Sequence, residues 1–188
     1  MTAETSATAR GAESSMRTKA LSRQLKTQRV PRASEKKQAR ADDFFWPPTL
    51  GQRYPDFALL DQEGHHVTLS DFKGKIILLE PVGMTCSACQ AFLGANRSSP
   101  GPLGNITPQA GLDSIKTYLA QYGGIHWPHP RVVHVQLLLY NLEMNTPTAE
   151  DARVWAEHFG QTRARNEIVL AADERFQGQA SFDMIPGF

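Results

Sequence analysis

The sequence predicts an α/β domain whose strands run largely parallel, with helices laid between them. Three observations predict it. Short apolar runs rich in β-branched residues recur at Ile76-Ile77-Leu78-Leu79, Val132–Tyr140 and Ile168-Val169-Leu170-Ala171. Stretches of helical periodicity separate these runs, and a hairpin signature precedes the first of them. Strands alternating with helices bury their apolar faces best as a layered sandwich around a parallel-rich sheet.

Taken in order, residues 1–45 read as a disordered tail: Ser, Thr, Ala, Lys, Arg and Gln dominate, and no aromatic occurs before Phe44. Within the tail, Leu21 and Leu25 allow at most a short amphipathic helix over Arg17–Arg29. The tail holds ten Lys and Arg against five Asp and Glu, whereas residues 46–188 hold ten against fourteen. A +5 tail on a −4 body could serve as a nucleic-acid arm, but it lacks interleaved aromatics and any reading motif, so it reads as solvated. No apolar run reaches the ~18–20 residues of a membrane span, and the first thirty residues carry charge throughout with no apolar signal core. A cytoplasmic location is the expectation.

The composition shifts at Phe44-Phe45-Trp46-Pro47-Pro48, which marks the domain boundary, so the domain is expected to span 46–188. Pro55–Asp61 and His65–Leu69 alternate around the turn Gln62-Glu63-Gly64, as a β-hairpin requires. Lys75–Glu80 is a short strand expected to end at Pro81-Val82-Gly83. Residues 94–111, with four Gly and three Pro, form a loop. Leu112, Ile115, Leu119 and Tyr122 give a helical stripe closed by Gly123-Gly124. Val132–Tyr140 reads as a strand covered on both faces. Thr148 and Asp151 form a capping box for a helix that turns Val154, Trp155 and Phe159 inward and stops at Gly160.

The chemistry is carried by the chain's two cysteines, Cys86 and Cys89, three apart. One close pair in a chain large enough to bury its own core points to redox chemistry or a metal rather than to a stapled scaffold. The pair follows an apolar strand, so Cys86 falls at the start of the next helix. There the terminal amides and dipole favour a thiolate and acidify the exposed sulfur. At this spacing Cys89 lies one turn deeper, placed to attack a mixed disulfide on Cys86 and release the partner. Cys86 is thus the nucleophile and Cys89 the resolving thiol, with protein dithiols or disulfides as partners. No cofactor or metal is assigned.

The stretch Gly51-x-x-x-Pro55-Asp56-Phe57-x-Leu59, then Asp61-x-x-Gly64 and Val67-x-Leu69-Ser70-Asp71-Phe72-x-Gly74-Lys75, resembles the opening of the redoxin family. That family includes the AhpC/TSA antioxidant proteins, TlpA-like thiol-disulfide oxidoreductases and Sco-type copper chaperones. The resemblance runs through the Cys-x-x-Cys junction and, less specifically, over most of 49–188. It implies a thioredoxin-like three-layer sandwich with an N-terminal β-hairpin extension. It also implies that Glu80 is the buried acid that takes the Cys89 proton, and that Ile185-Pro186 is the cis-proline beside the disulfide. Because the family continues past this point into two strands and a helix, the resemblance further implies a domain lacking its last quarter. Departures are Thr85 where thioredoxins carry an aromatic, and Ser87-Ala88 between the cysteines in place of Gly-Pro.

Two other readings compete. Gly83-Met84-Thr85-Cys86-x-x-Cys89 resembles the motif of heavy-metal-associated copper-binding domains, and soft thiolates suit Cu(I). That fold needs an uninterrupted helix after the motif, which Gly94 and the following loop deny. A Sco-like copper site would need a distant histidine, for which His134, His126 and His129 are available, although Sco proteins space their cysteines one residue wider. A peroxiredoxin-like peroxidase is disfavoured because in Pro81-x-x-x-Thr85-x-x-x-Cys89 the cysteine comes one residue late.

Overall fold

A computed structural model describes residues 46–177. The expected tail over 1–45, its short helix and the Ile185-Pro186 bond lie outside the described residues. Five strands and three α-helices follow in the order β1 (Ala58–Asp61), β2 (His66–Thr68), β3 (Ile76–Gly83), α1 (Ser87–Phe92), α2 (Ile115–Gly123), β4 (Val132–Tyr140), α3 (Ala149–His158) and β5 (Glu167–Ala171). The strands make one mixed sheet in the order β2-β1-β5-β4-β3. β3, β4 and β5 are parallel, and the β1–β2 hairpin adds antiparallel to β5. The molecule is therefore a mixed α/β protein.

Each boundary has a local cause. In the hairpin turn, buried Asp61 accepts hydrogen bonds through Oδ1 from the Glu63 and His65 amides, both at 2.9 Å, and Gly64 supplies the left-handed residue at φ 76°. Beyond the last β1–β5 backbone pair, the side-chain amide of Gln62 extends the ladder. Its Nε2 donates to the Glu167 carbonyl at 3.0 Å and its Oε1 accepts from the Val169 amide at 2.9 Å. Arg163 pairs with Asp61 and fixes the turn to the segment before β5.

All nine residues of β4 and all five of β5 are buried, so these strands form the floor of the core. Each fully buried aliphatic side chain there contributes ~1.5–3 kcal/mol relative to exposure. α3 packs on β5 and β1. Its Thr148–Asp151 capping box is formed as the sequence predicts, and Trp155 is wholly buried on its inner face. Gly160, at φ 64°, follows its C-cap.

One expectation about the elements is corrected. β3 does not stop before Pro81; it runs to Gly83, with Pro81 in register against Leu137 and a shift between Val82 and Gly83. Proline is tolerated because, among the described residues, β3 pairs on one side only, so the missing N–H falls on the side away from β4. α2 forms where its apolar stripe predicts and stops at the glycine pair. Ser114 caps it by accepting from the Thr117 amide, and Gly124 ends it at φ 62°, but none of its residues is buried and Tyr122 is largely exposed. Of its apolar stripe, Leu112 packs against the core, Ile115 and Leu119 are half-buried, and Tyr122 stacks on Tyr118 at 6.1 Å.

The 94–111 loop contains no helix or strand, as expected, and is tied down by side chains. Asn96 Nδ2 donates to the Gln109 and Leu112 carbonyls, each at 2.8 Å, and Arg97 pairs with Asp113 at 2.8 Å. The Ser114 amide, with smaller help from Arg97 and Thr117, holds the exposed Asp113 carboxyl below its usual range.

Candidate functional site

β3 delivers the chain to the site, and the turn between Gly83 and Cys86 bends it into α1. The Cys86 amide donates to the Gly83 carbonyl at 3.1 Å, and the Met84 amide returns to the Tyr140 carbonyl at the end of β4. Cys86 is the N-cap of α1. Its Sγ accepts a hydrogen bond from the Cys89 amide at 3.1 Å, the bond an N-cap serine or aspartate would make. The two sulfurs are joined in a disulfide, with the Cα atoms 5.2 Å apart.

The sequence predicts an exposed sulfur at Cys86, and the structure corrects this. Cys86 is 4% exposed and Cys89 3%, so the two differ little in burial and are distinguished instead by which sulfur receives the helix amide. Next to Cys86, Thr85 Oγ1 reaches out to Met144 Sδ at 3.2 Å. Met144 stands 51% exposed at φ 63° on a turn closed by Asn141, whose Oδ1 accepts from the Glu143 and Asn145 amides.

Gly83 is required by close approach rather than by a special dihedral. A Cβ there would lie inside the Tyr140 ring, which is itself fully buried. Burial pushes the Tyr140 phenol up, and a hydrogen bond with Thr85 pulls it partly back. Gly83→Ala is expected to force that ring out of place and to destabilise the oxidised protein by about 2–3 kcal/mol, read from a denaturant midpoint. An unchanged midpoint would mean that Tyr140 moves aside freely.

Gln90, on α1 and completely buried, connects the site to the loop. Its Nε2 donates to the Met84 carbonyl at 2.7 Å and the Leu103 carbonyl at 3.1 Å, and its Oε1 accepts from the Leu103 amide at 2.8 Å. Sequence reasoning missed this residue, and no local pattern marks it. Gln90 therefore ties the loop to the turn that leads into Cys86.

Glu80 lies on β3 and lines, with Leu78, Leu79, Pro81, Ala88, Cys89, Phe92 and Ile115, a largely apolar cavity of about 200 Å³. The side chain is partly exposed, at 20%, rather than fully buried, and its carboxylate is held by two neighbours. Its Oε2 meets His134 Nε2 at 2.9 Å and accepts from Gln136 Nε2 at 2.8 Å. Gln136 Oε1 in turn accepts from Trp155 Nε1 at 2.8 Å. Of the residues named from sequence, the structure thus brings together Cys86, Cys89 and Glu80; Pro186 is outside the described residues.

The candidate metal donors are scattered. His134 is buried against Glu80, His126 is exposed, and His129 Nδ1 accepts from the Arg131 amide at 3.2 Å. Among the described residues no three His, Cys, Asp or Glu side chains converge as ligands. No described helix is long and apolar enough to cross a membrane.

No family model matches the chain, and no curated protein matches it. Among solved structures, the chain is similar to a candidate electron transfer protein from Aquifex aeolicus VF5, with TM-score 0.47 and 20% identity over 72% of this chain and 64% of that one. A hypothetical protein from Sinorhizobium meliloti 1021 gives TM-score 0.43 and 18% identity over 69% of this chain and 57% of that one. BsSco, a member of the Sco family of cytochrome c oxidase assembly proteins, gives TM-score 0.38 and 14% identity over 64% and 56%. The chain spans less than two thirds of the length of each of these three.

Proposed function

We propose that the chain is a thiol-disulfide oxidoreductase on a thioredoxin-like domain, with Cys86 and Cys89 as its redox couple and other proteins' dithiols or disulfides as its partners. The observation that carries this reading is the placement of the disulfide at the first turn of α1, with Cys86 Sγ taking the Cys89 amide. A sulfur held there keeps a donor for the negative charge it bears when the pair is reduced.

In the reducing direction, the Cys86 thiolate attacks a partner disulfide. A bond forms between Cys86 and one partner sulfur, the partner's own S–S bond breaks, and the other partner sulfur leaves as a thiolate. Cys89 then gives up its proton and attacks Cys86 Sγ. The Cys86–Cys89 bond forms, the bond to the partner breaks, and the second partner sulfur departs as a thiolate. Two electrons have passed to the partner. Run backwards, the same steps oxidise a dithiol, and the potential of the pair sets the direction.

Glu80 is the proposed acceptor of the Cys89 proton, because it shares the small apolar cavity with that residue. A carboxylate held in place beside the thiol can act as a general base. The test is turnover: with a dithiol as electron source, the chain should accelerate reduction of a model protein disulfide such as insulin. The Cys86→Ala/Cys89→Ala variant should fall to the uncatalysed rate. Equal rates with and without the cysteines would refute the assignment.

A further inference from the structure

β4 is apolar along its whole length except for His134 and Gln136, which stand two apart and therefore on one face of the sheet. Both are buried, and both end on the same carboxylate oxygen, Glu80 Oε2. No described residue donates to Oε1. We infer that His134 and Gln136 form a clamp that occupies Oε2 and leaves Oε1 as the oxygen that receives the Cys89 proton. The inference rests on the oxidoreductase reading above and makes His134 and Gln136 positioning residues, not catalytic ones.

The donor directions in the clamp follow from chemistry. Trp155 has only an N–H to offer, so the Gln136 oxygen must face it and the Gln136 amide group must face Glu80. Facing a carboxylate, His134 presents Nε2–H. Its ring is held edge-on to Trp127, with centroids 5.9 Å apart, and its amide donates to the Asn166 carbonyl at 2.9 Å. Neither side chain can turn away without stranding a buried donor.

The clamp also survives the reaction. When Cys89 attacks Cys86, the sulfur–sulfur bond forms, the bond to the partner breaks, and the proton passes to Oε1. Oε2 keeps both incoming hydrogen bonds whether the carboxyl is charged or neutral. The other charged groups near His134 are committed elsewhere. Glu167, its register neighbour on β5, is wholly buried and lies 2.5 Å from Lys116 Nζ and 3.4 Å from Arg165 Nε. Glu80 is therefore the only carboxylate that His134 contacts among the described residues.

The two steps separate on mixing the reduced chain with one equivalent of 5,5′-dithiobis(2-nitrobenzoate). Attack by Cys86 releases a first thionitrobenzoate, and closure by Cys89 releases a second. His134→Gln places an amide N–H where the Nε2–H stood, whereas His134→Asn is equally polar but too short to reach Glu80. The second phase should stay within about threefold of wild type in His134→Gln and slow by about tenfold in His134→Asn, the loss of one hydrogen bond to a charged group. The first phase should be unchanged in both.

Glu80→Gln separates the possible failures. If it slows the second phase while His134→Gln and His134→Asn behave alike, the clamp is wrong and the base stands. If Glu80→Gln leaves the second phase intact, the base itself is wrong.

Discussion

Cys89→Ser is expected to freeze the exchange halfway, with partner proteins captured on Cys86 as mixed disulfides. Once Cys86 has attacked, only a second sulfur within reach can expel the partner, and a serine hydroxyl does not do so. Cys86→Ser should capture little. The remaining thiol lies away from the cap position, where a helix amide stabilises a thiolate. Non-reducing electrophoresis after an alkylating quench should show at least about tenfold more adduct for Cys89→Ser, dissolved by dithiothreitol, in keeping with exchange through the one sulfur that receives the helix amide. Equal capture by both variants would erase the division of labour between the sulfurs.

Glu80→Gln is expected to have the next largest effect, slowing closure of the disulfide by about 100-fold, the lower end of what a positioned base contributes. The substitution preserves shape. Its oxygen can keep the bonds from His134 and Gln136, and its amide then faces the cavity where the carboxylate Oε1 stood, with nothing to accept a proton. The attack by Cys86 needs no such base and should be unaffected. Raising the pH should restore the slow step, because hydroxide takes over the proton. A variant that closes as fast as wild type at neutral pH would show that the Cys89 proton leaves by another route.

Much of this arrangement is legible in the sequence because it depends on local chemistry. The hairpin follows from alternation around Gly64, the α3 cap from Thr148 and Asp151, and the α2 stop from Gly124. The position of Cys86 at the head of a helix follows from an apolar strand running straight into the pair. What escapes local reading are interactions across the sheet. His134 and Gln136 reach Glu80 from more than fifty residues away. The available signal is two buried-type exceptions, two apart, in an otherwise apolar strand. Buried polar groups are nearly always partnered, so His134 and Gln136 call for a polar residue on the neighbouring strand, and Glu80 supplies it.

The role of Pro81 escapes local reading for a related reason. A proline ends a central strand but not an edge strand, and which strand lies at the edge is a property of the whole sheet. Burial of Cys86 was likewise invisible. Burial at a helix N-cap depends on packing from distant parts of the chain, which spacing does not encode.

The most direct test of the central claim is equilibration of the full chain in glutathione buffers of graded potential, followed by acid quench and a count of alkylated Cys86 and Cys89. The two residues should gain and lose alkylation together along one reversible two-electron curve, a tenfold change in ratio for each ~30 mV. Cysteines that titrate independently, or that never change state across the range, would contradict it.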